Sequence, residues 1–92
     1  MGSVAARKAL DIIANTANVL AIELICAAQA IDLHAPVVPS PPIRAFHDHL
    51  RRSVSFLDGD RGLSGEIAAI ASDVVSGAIV RSVEPALGRS LP

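Results

Sequence analysis

Two short stretches and two lone residues carry side chains that could do chemistry. His47-Asp48-His49 offers two imidazoles and a carboxylate. On a helix, residues two apart point about 200° apart, so one metal ion cannot take both histidines. They read as partly exposed helix residues. Asp58-Gly59-Asp60-Arg61-Gly62 opens like a calcium loop. Such a loop wants an oxygen ligand at its fifth position, glycine at its sixth and glutamate at its twelfth. Gly62, Leu63 and Ala69 stand there instead. The match fails, and Asp60 and Arg61 read as loop residues that anchor a turn through charged hydrogen bonds. Glu23 lies amid Leu20, Ile22, Leu24 and Ile25, where a carboxylate is costly to bury unless paired or protonated. It has two readings, a general acid or base and a structural carboxylate meeting a cation on a neighbouring helix. No nucleophile–base pair, glycine-rich phosphate loop or cysteine cluster accompanies it, which favours the second. Cys26 is the only cysteine, so no internal disulfide forms, and a reducing, cytoplasmic compartment suits it. No catalytic, cofactor-binding or metal-binding residue is expected in this chain.

The elements that hold these residues are helical. Ser3 to Leu33 has no proline or internal glycine and reads as one helix of about 46 Å. Leu10, Ile13, Ala17, Leu20, Leu24, Ala27 and Ile31 recur at spacings of three and four, an apolar seam. A second seam, Ile12, Asn15, Val19, Ile22, Cys26, Gln29 and Leu33, runs nearly opposite. Asp11, Asn18 and Asp32 mark a polar strip between them. Two seams call for two packing partners. A compact chain of 92 residues has a diameter of roughly 32 Å. The helix overshoots that globule and needs helices from elsewhere.

His34 to Pro42 has four prolines in nine residues and reads as an extended connector that ends the first helix. His34 caps the carbonyl end. Ser40-Pro41-Pro42 resembles a helix start, since proline is tolerated in the first turn. Ile43, Phe46, Leu50, Val54 and Leu57 then form one apolar stripe. Asp58 to Gly65 is turn-rich. Ser64 is expected to cap a third helix with Glu66 in its first turn and Ile67, Ile70, Ala71 and Val74 on its face. Ser76-Gly77 ends or kinks it, and a final helix from Ala78 is expected to stop at Pro85. The fold class is all-α: a long helix over 3–33, a proline-rich linker over 34–42 and a short-helix tail over 43–92.

Charge and composition narrow the partners. Eight Lys+Arg against nine Asp+Glu leave a net charge of −1, and only 2% of residues are aromatic. Neither an electrostatic footprint nor a stacking platform for nucleic acid is present. The N-terminus shows no signal-peptide pattern, and Ala6 stands where a myristoylation start wants Ser or Thr. The longest run free of polar residues in the opening stretch, Leu24 to Ala28, falls short of the roughly twenty residues that a bilayer span needs. No nucleic acid and no membrane are expected as partners.

Ser3 to Leu33, SVAARKALDIIANTANVLAIELICAAQAIDL, resembles the C-terminal part of the histidine and aromatic amino acid ammonia-lyases. The Ala-Ala-Arg-Lys opening and the Leu-Ala-Ile-Glu-Leu…Ala-Ala-Gln-Ala-Ile-Asp-Leu body are similar to the long helix closing their central bundle. Phe56 to Val80, FLDGDRGLSGEIAAIASDVVSGAIV, is similar to their tail. The resemblance covers nearly the whole chain and is nearest to histidine ammonia-lyase. It implies a larger helical-bundle enzyme, assembled as a homotetramer, of which this is a fragment. It also implies a protein-derived methylidene-imidazolone ring, formed from an internal Ala-Ser-Gly. Leu63-Ser64-Gly65 and Val75-Ser76-Gly77 sit in other contexts, so the ring precursor is absent here and no cofactor is held by this chain. Family tyrosines have no counterpart, because the chain contains none. The family's Gln-Glu-Asp-His-Val-Ser segment lies just before a Met-Gly like Met1-Gly2. No catalytic residue is carried over.

The expected function follows from that resemblance. It is the helical, oligomerisation part of an enzyme that eliminates ammonia from histidine to give urocanate, not catalytic alone. A phenylalanine or tyrosine ammonia-lyase or aminomutase fragment is one alternative. A free-standing, self-associating helical module is another. Leu10, Ile13, Leu20, Glu23, Leu24 and Ile31 are the candidate structural and interface residues. Their expected partners are further copies or the N-terminal part of the enzyme.

Overall fold

A run of 32 residues with no break after its first glycine dictates the architecture. A computed structural model describes residues 2–92 and contains four helices, with no strand among those residues. Helix α1 spans Gly2–Leu33, α2 Pro41–Arg51, α3 Ser64–Ser76 and α4 Ala78–Leu87.

The helix ends follow local chemistry. At the end of α1, the His34 amide and the His34 ring nitrogen Nδ1–H both donate to the carbonyl of Ala30, at 3.1 and 2.7 Å. The carbonyl cap expected of His34 is present. α2 starts at Pro41, inside the proline-rich stretch, because its first two helical positions need no amide donor. Its apolar residues Phe46 and Leu50 are buried, and Val54 continues the same stripe through the turn that follows.

Two boundaries differ from the sequence expectation. Ser64 is the first helical residue of α3 rather than its cap; Leu63 holds the cap position and no side chain bonds there. The reason is that the Leu63 carbonyl already accepts the Ile67 amide at 2.8 Å. Pro85 does not stop α4, which runs on to Leu87. Proline deprives only one carbonyl, that of Arg81, of its helical donor, and Arg81 is exposed, where water serves. Gly77, at φ +84°, separates α3 from α4, and Gly88, at φ +70°, closes α4. Both adopt the left-handed conformation that glycine takes without steric cost.

α3 runs antiparallel along α1. Ile67 lines one groove with Ile25 and Leu33, and Val75 lines another with Ala14 and Ala17. Ala17, Ala21, Ile25 and Ala28 are the buried residues of α1, and Ile70 and Ala71 face them from α3. α4 packs on α2, and Phe46, Leu50 and Val54 complete one core. Three alanines on the buried line let α3 approach α1 closely.

That core covers only part of α1. Every described residue from Gly2 to Thr16 is exposed. The radius of gyration is 15.2 Å against about 12 Å for a compact chain of this length. The extents, 54 × 38 × 17 Å, describe a slab with one long arm. Accessible surface totals 6236 Å², roughly 1,200 Å² more than a compact protein of this mass exposes. By length and composition alone, α1 also passes as a helix able to cross a membrane.

Candidate functional site

The side chains with chemical potential gather at the C-terminal end of α1. Asp32 accepts three hydrogen bonds there. His47 Nε2–H donates to Oδ1 at 2.9 Å, while Arg51 Nη2 and Nε donate to Oδ2 at 2.6 and 3.1 Å. Arg51 is only 15% exposed and Asp32 29%. Asp32 and Arg51 are 19 positions apart in sequence, and their meeting follows from the chain reversing over the 34–40 connector.

Electrostatics follow that geometry. The His47 hydrogen bond, and after it the Arg51 hydrogen bonds and charge, hold the Asp32 carboxyl below its ordinary value; partial burial opposes them.

Arg51 extends the cluster. Its Nη1 donates to the Val54 carbonyl at 3.2 Å, its Nη2 reaches Gln29 Oε1 at 3.5 Å, and its guanidinium carbon lies 5.9 Å from the centre of the Phe56 ring. Gln29 in turn pairs with the backbone of Leu57: Nε2 donates to the Leu57 carbonyl at 2.8 Å and Oε1 accepts the Leu57 amide at 3.1 Å. One side-chain amide satisfies both backbone groups of a loop residue, as a neighbouring strand would.

His47 and His49 diverge as helix geometry requires. His47 turns to Asp32 on α1, whereas His49 Nε2–H donates to Asp73 on α3 at 3.0 Å. Each pins α2 to a different helix. Arg61 makes a two-pronged contact with Glu66 and donates to the Ser55 carbonyl at 2.8 Å. The charged turn anchor expected of the Asp60-Arg61 turn is thus supplied by Arg61. Among the described residues, no group of three or more His, Cys, Asp or Glu side chains could hold a metal ion.

The second feature is apolar surface. Leu10, Ile13 and Leu20 are 66%, 53% and 40% exposed, and Leu24 and Ile31 are half-buried against the core. The contact line with α3 is rotated from that seam toward Asp32, onto Ala21, Ile25 and Ala28. Glu23 is exposed and takes part in none of the ion pairs among the described residues. Ile22, Cys26, Gln29, Leu33, Leu57 and Ile67 line an apolar groove of about 270 Å³ beside the polar cluster. The Arg51–Asp32 pair and the Gln29–Leu57 pairing had no local signal in the sequence, since each joins residues nineteen or more positions apart.

Residues 1–52 match the family described as aromatic amino acid lyase. The chain is similar to the histidine ammonia-lyases of Symbiobacterium thermophilum and Sorangium cellulosum, each 47% identical over 88 residues. It is 40% identical over 88 residues to that of Natranaerobius thermophilus. In all three cases 96% of this chain is covered, and the chain spans 17% of the relative's length. No solved structure matches the chain.

Proposed function

The chain belongs to the aromatic amino acid lyase family, and on that premise we propose that it is the C-terminal helical, oligomerisation part of a histidine ammonia-lyase-like enzyme. The whole enzyme would eliminate ammonia from histidine to give urocanate, in the cytoplasm, as a homotetramer. Histidine is favoured over phenylalanine or tyrosine because the similar relatives are histidine ammonia-lyases.

The observation that carries the assembly role is the bare first half of α1. Leu10, Ile12 and Ile13 are more than half exposed, on the part of α1 that precedes its first buried residue, Ala17. Each such side chain, once covered, contributes roughly 1.5–3 kcal/mol. Other helices suit that surface better than lipid. Asp11, Asn15 and Asn18 run along one side of the same helix, and each is expensive to place in hydrocarbon.

The methylidene-imidazolone ring of such enzymes does not fit this chain. Ser64 and Gly65 are helical residues opening α3, and Ser76 closes it; neither pair follows an alanine. The ring belongs to another part of the enzyme, and this chain's contribution is to position and to assemble.

Two measurements test the proposal. Purified chain incubated with histidine should release no urocanate by ultraviolet absorbance, and adding an N-terminal lyase part that carries Ala-Ser-Gly and Gln-Glu-Asp-His should produce it. Urocanate from the chain alone would sink the proposal, as would failure of the two parts to bind each other.

A further inference from the structure

Residues 55–63 cross the C-terminal end of α1 without a helix or strand of their own. Their ends are fixed, by buried Val54 on one side and by α3 on the other. The middle is held by the Gln29 amide on Leu57. Arg51 lies across that amide and against Phe56, and Asp32 orients Arg51 through two hydrogen bonds. Leu57 and Leu63 of the same segment wall the apolar groove, whose floor is Ile22, Ile25, Cys26 and Ala30 of α1.

We propose that residues 55–63 are a strap over this groove and that the Asp32 carboxylate is its switch. Charged, Asp32 holds Arg51 across Gln29 and the strap is closed. Protonated, it accepts fewer and weaker bonds, Arg51 swings free, and the strap lifts from α1 while the core stays folded. Such local opening costs less than global unfolding because few apolar contacts are broken.

The groups around the switch are few. His47 and Arg51 face Asp32 from α2, and Asp48 lies on the far side of the His47 ring, 3.8 Å from Nδ1. On α3, Asp73 is engaged by His49 and Glu66 by Arg61 of the strap itself, and on α4, Arg81 and Glu84 bond to the Ser76 carbonyl and the Leu91 amide. His34, just past α1, bonds to the Ala30 carbonyl. The folded carboxyl titrates below its ordinary value, so the folded state binds fewer protons than the unfolded. The closing contribution is therefore present above about pH 4 and is lost as pH falls below it.

Hydrogen exchange at the Leu57 amide, referred to its intrinsic rate, reads the strap directly. In the unaltered chain at neutral pH Leu57 should be protected, and below about pH 4 it should lose protection before the Ile25 and Leu50 amides do. Asp32→Asn at neutral pH should lower Leu57 protection by about tenfold, the worth of one charge-assisted hydrogen bond, and abolish the acid step. Asp73→Asn should leave it unchanged. If Asp32→Asn does not fold, Arg51→Met, which removes the same contact from its other side, is read at the Leu57 amide in its place. The proposal falls if Leu57 and core amides lose protection together, if Asp32→Asn leaves Leu57 protected, or if Asp73→Asn reproduces the effect.

Discussion

Arg51 Nη2 lies 2.6 Å from Asp32 Oδ2, and this contact ties the last turn of α1 to the last turn of α2. The His47–Asp32 and Arg51–Gln29 bonds join the same two helices, so the pair is the charged centre of a larger junction. Arg51→Met keeps the aliphatic stem and removes the charge. It should destabilise the chain by about 1–3 kcal/mol, because Asp32, Gln29 and the Val54 carbonyl each lose a donor. Urea denaturation with an unchanged slope is the measurement. A loss below about 0.5 kcal/mol would mean that water replaces the guanidinium without cost.

Gly77 and Gly88 make a controlled comparison. Both have positive φ, but a Cβ at Gly77 meets Arg81 Nη1 at 3.0 Å, while at Gly88 nothing lies within 4 Å. Gly88→Ala should cost about 1–2 kcal/mol from backbone strain alone. Gly77→Ala should cost somewhat more, since Arg81 Nη1, which donates to the Ser76 carbonyl, must also shift to make room. Equal losses in thermal melts would show that Arg81 moves aside freely.

Ile70 and Leu10 should respond in opposite assays. Ile70 is fully buried, and Ile70→Ala should cost about 2–5 kcal/mol of intrinsic stability. Leu10→Ala should leave the isolated chain within about 0.5 kcal/mol and weaken its association with other helices. Sedimentation equilibrium separates the two effects; a stable compact monomer at tens of micromolar, equally so for the Leu10 variant, would remove the argument for an assembly face.

Glu23 has no cation three or four residues away, where Val19, Leu20, Cys26 and Ala27 stand, and it is exposed. Glu23→Gln should be neutral in the isolated chain and should weaken assembly if an arginine meets it there. A loss above about 1 kcal/mol in the isolated chain would reveal an internal partner.

The long helix, its end at Leu33, the connector and the glycine between α3 and α4 were legible because each depends on neighbours in sequence. Proline, glycine and unbroken helical spacing act over one or two turns. The seams told that α1 has apolar faces, but not which face α3 takes. Three alanines set that contact, and their small size gives them little weight in an apolar pattern. Pro85 was misread because one missing donor at an exposed carbonyl is a small loss beside the helical bonds that remain. The polar cluster stayed hidden for another reason. Gln29, Asp32 and Arg51 look like ordinary surface residues until the connector folds them together.

The bare part of α1 also acts mechanically. Its fulcrum is the buried line against α3, whose first buried residue is Ala17, and the arm from there to Gly2 is about 22 Å long at 1.5 Å per residue. Tilting the helix by about 5° at the fulcrum sweeps the tip by roughly 2 Å at that length, enough to put side chains out of register with whatever they meet. A wider side chain at Ala21 would therefore have its effect magnified at the far end. Alignment at the tip is decided by the thinnest side chains in the molecule, several turns away.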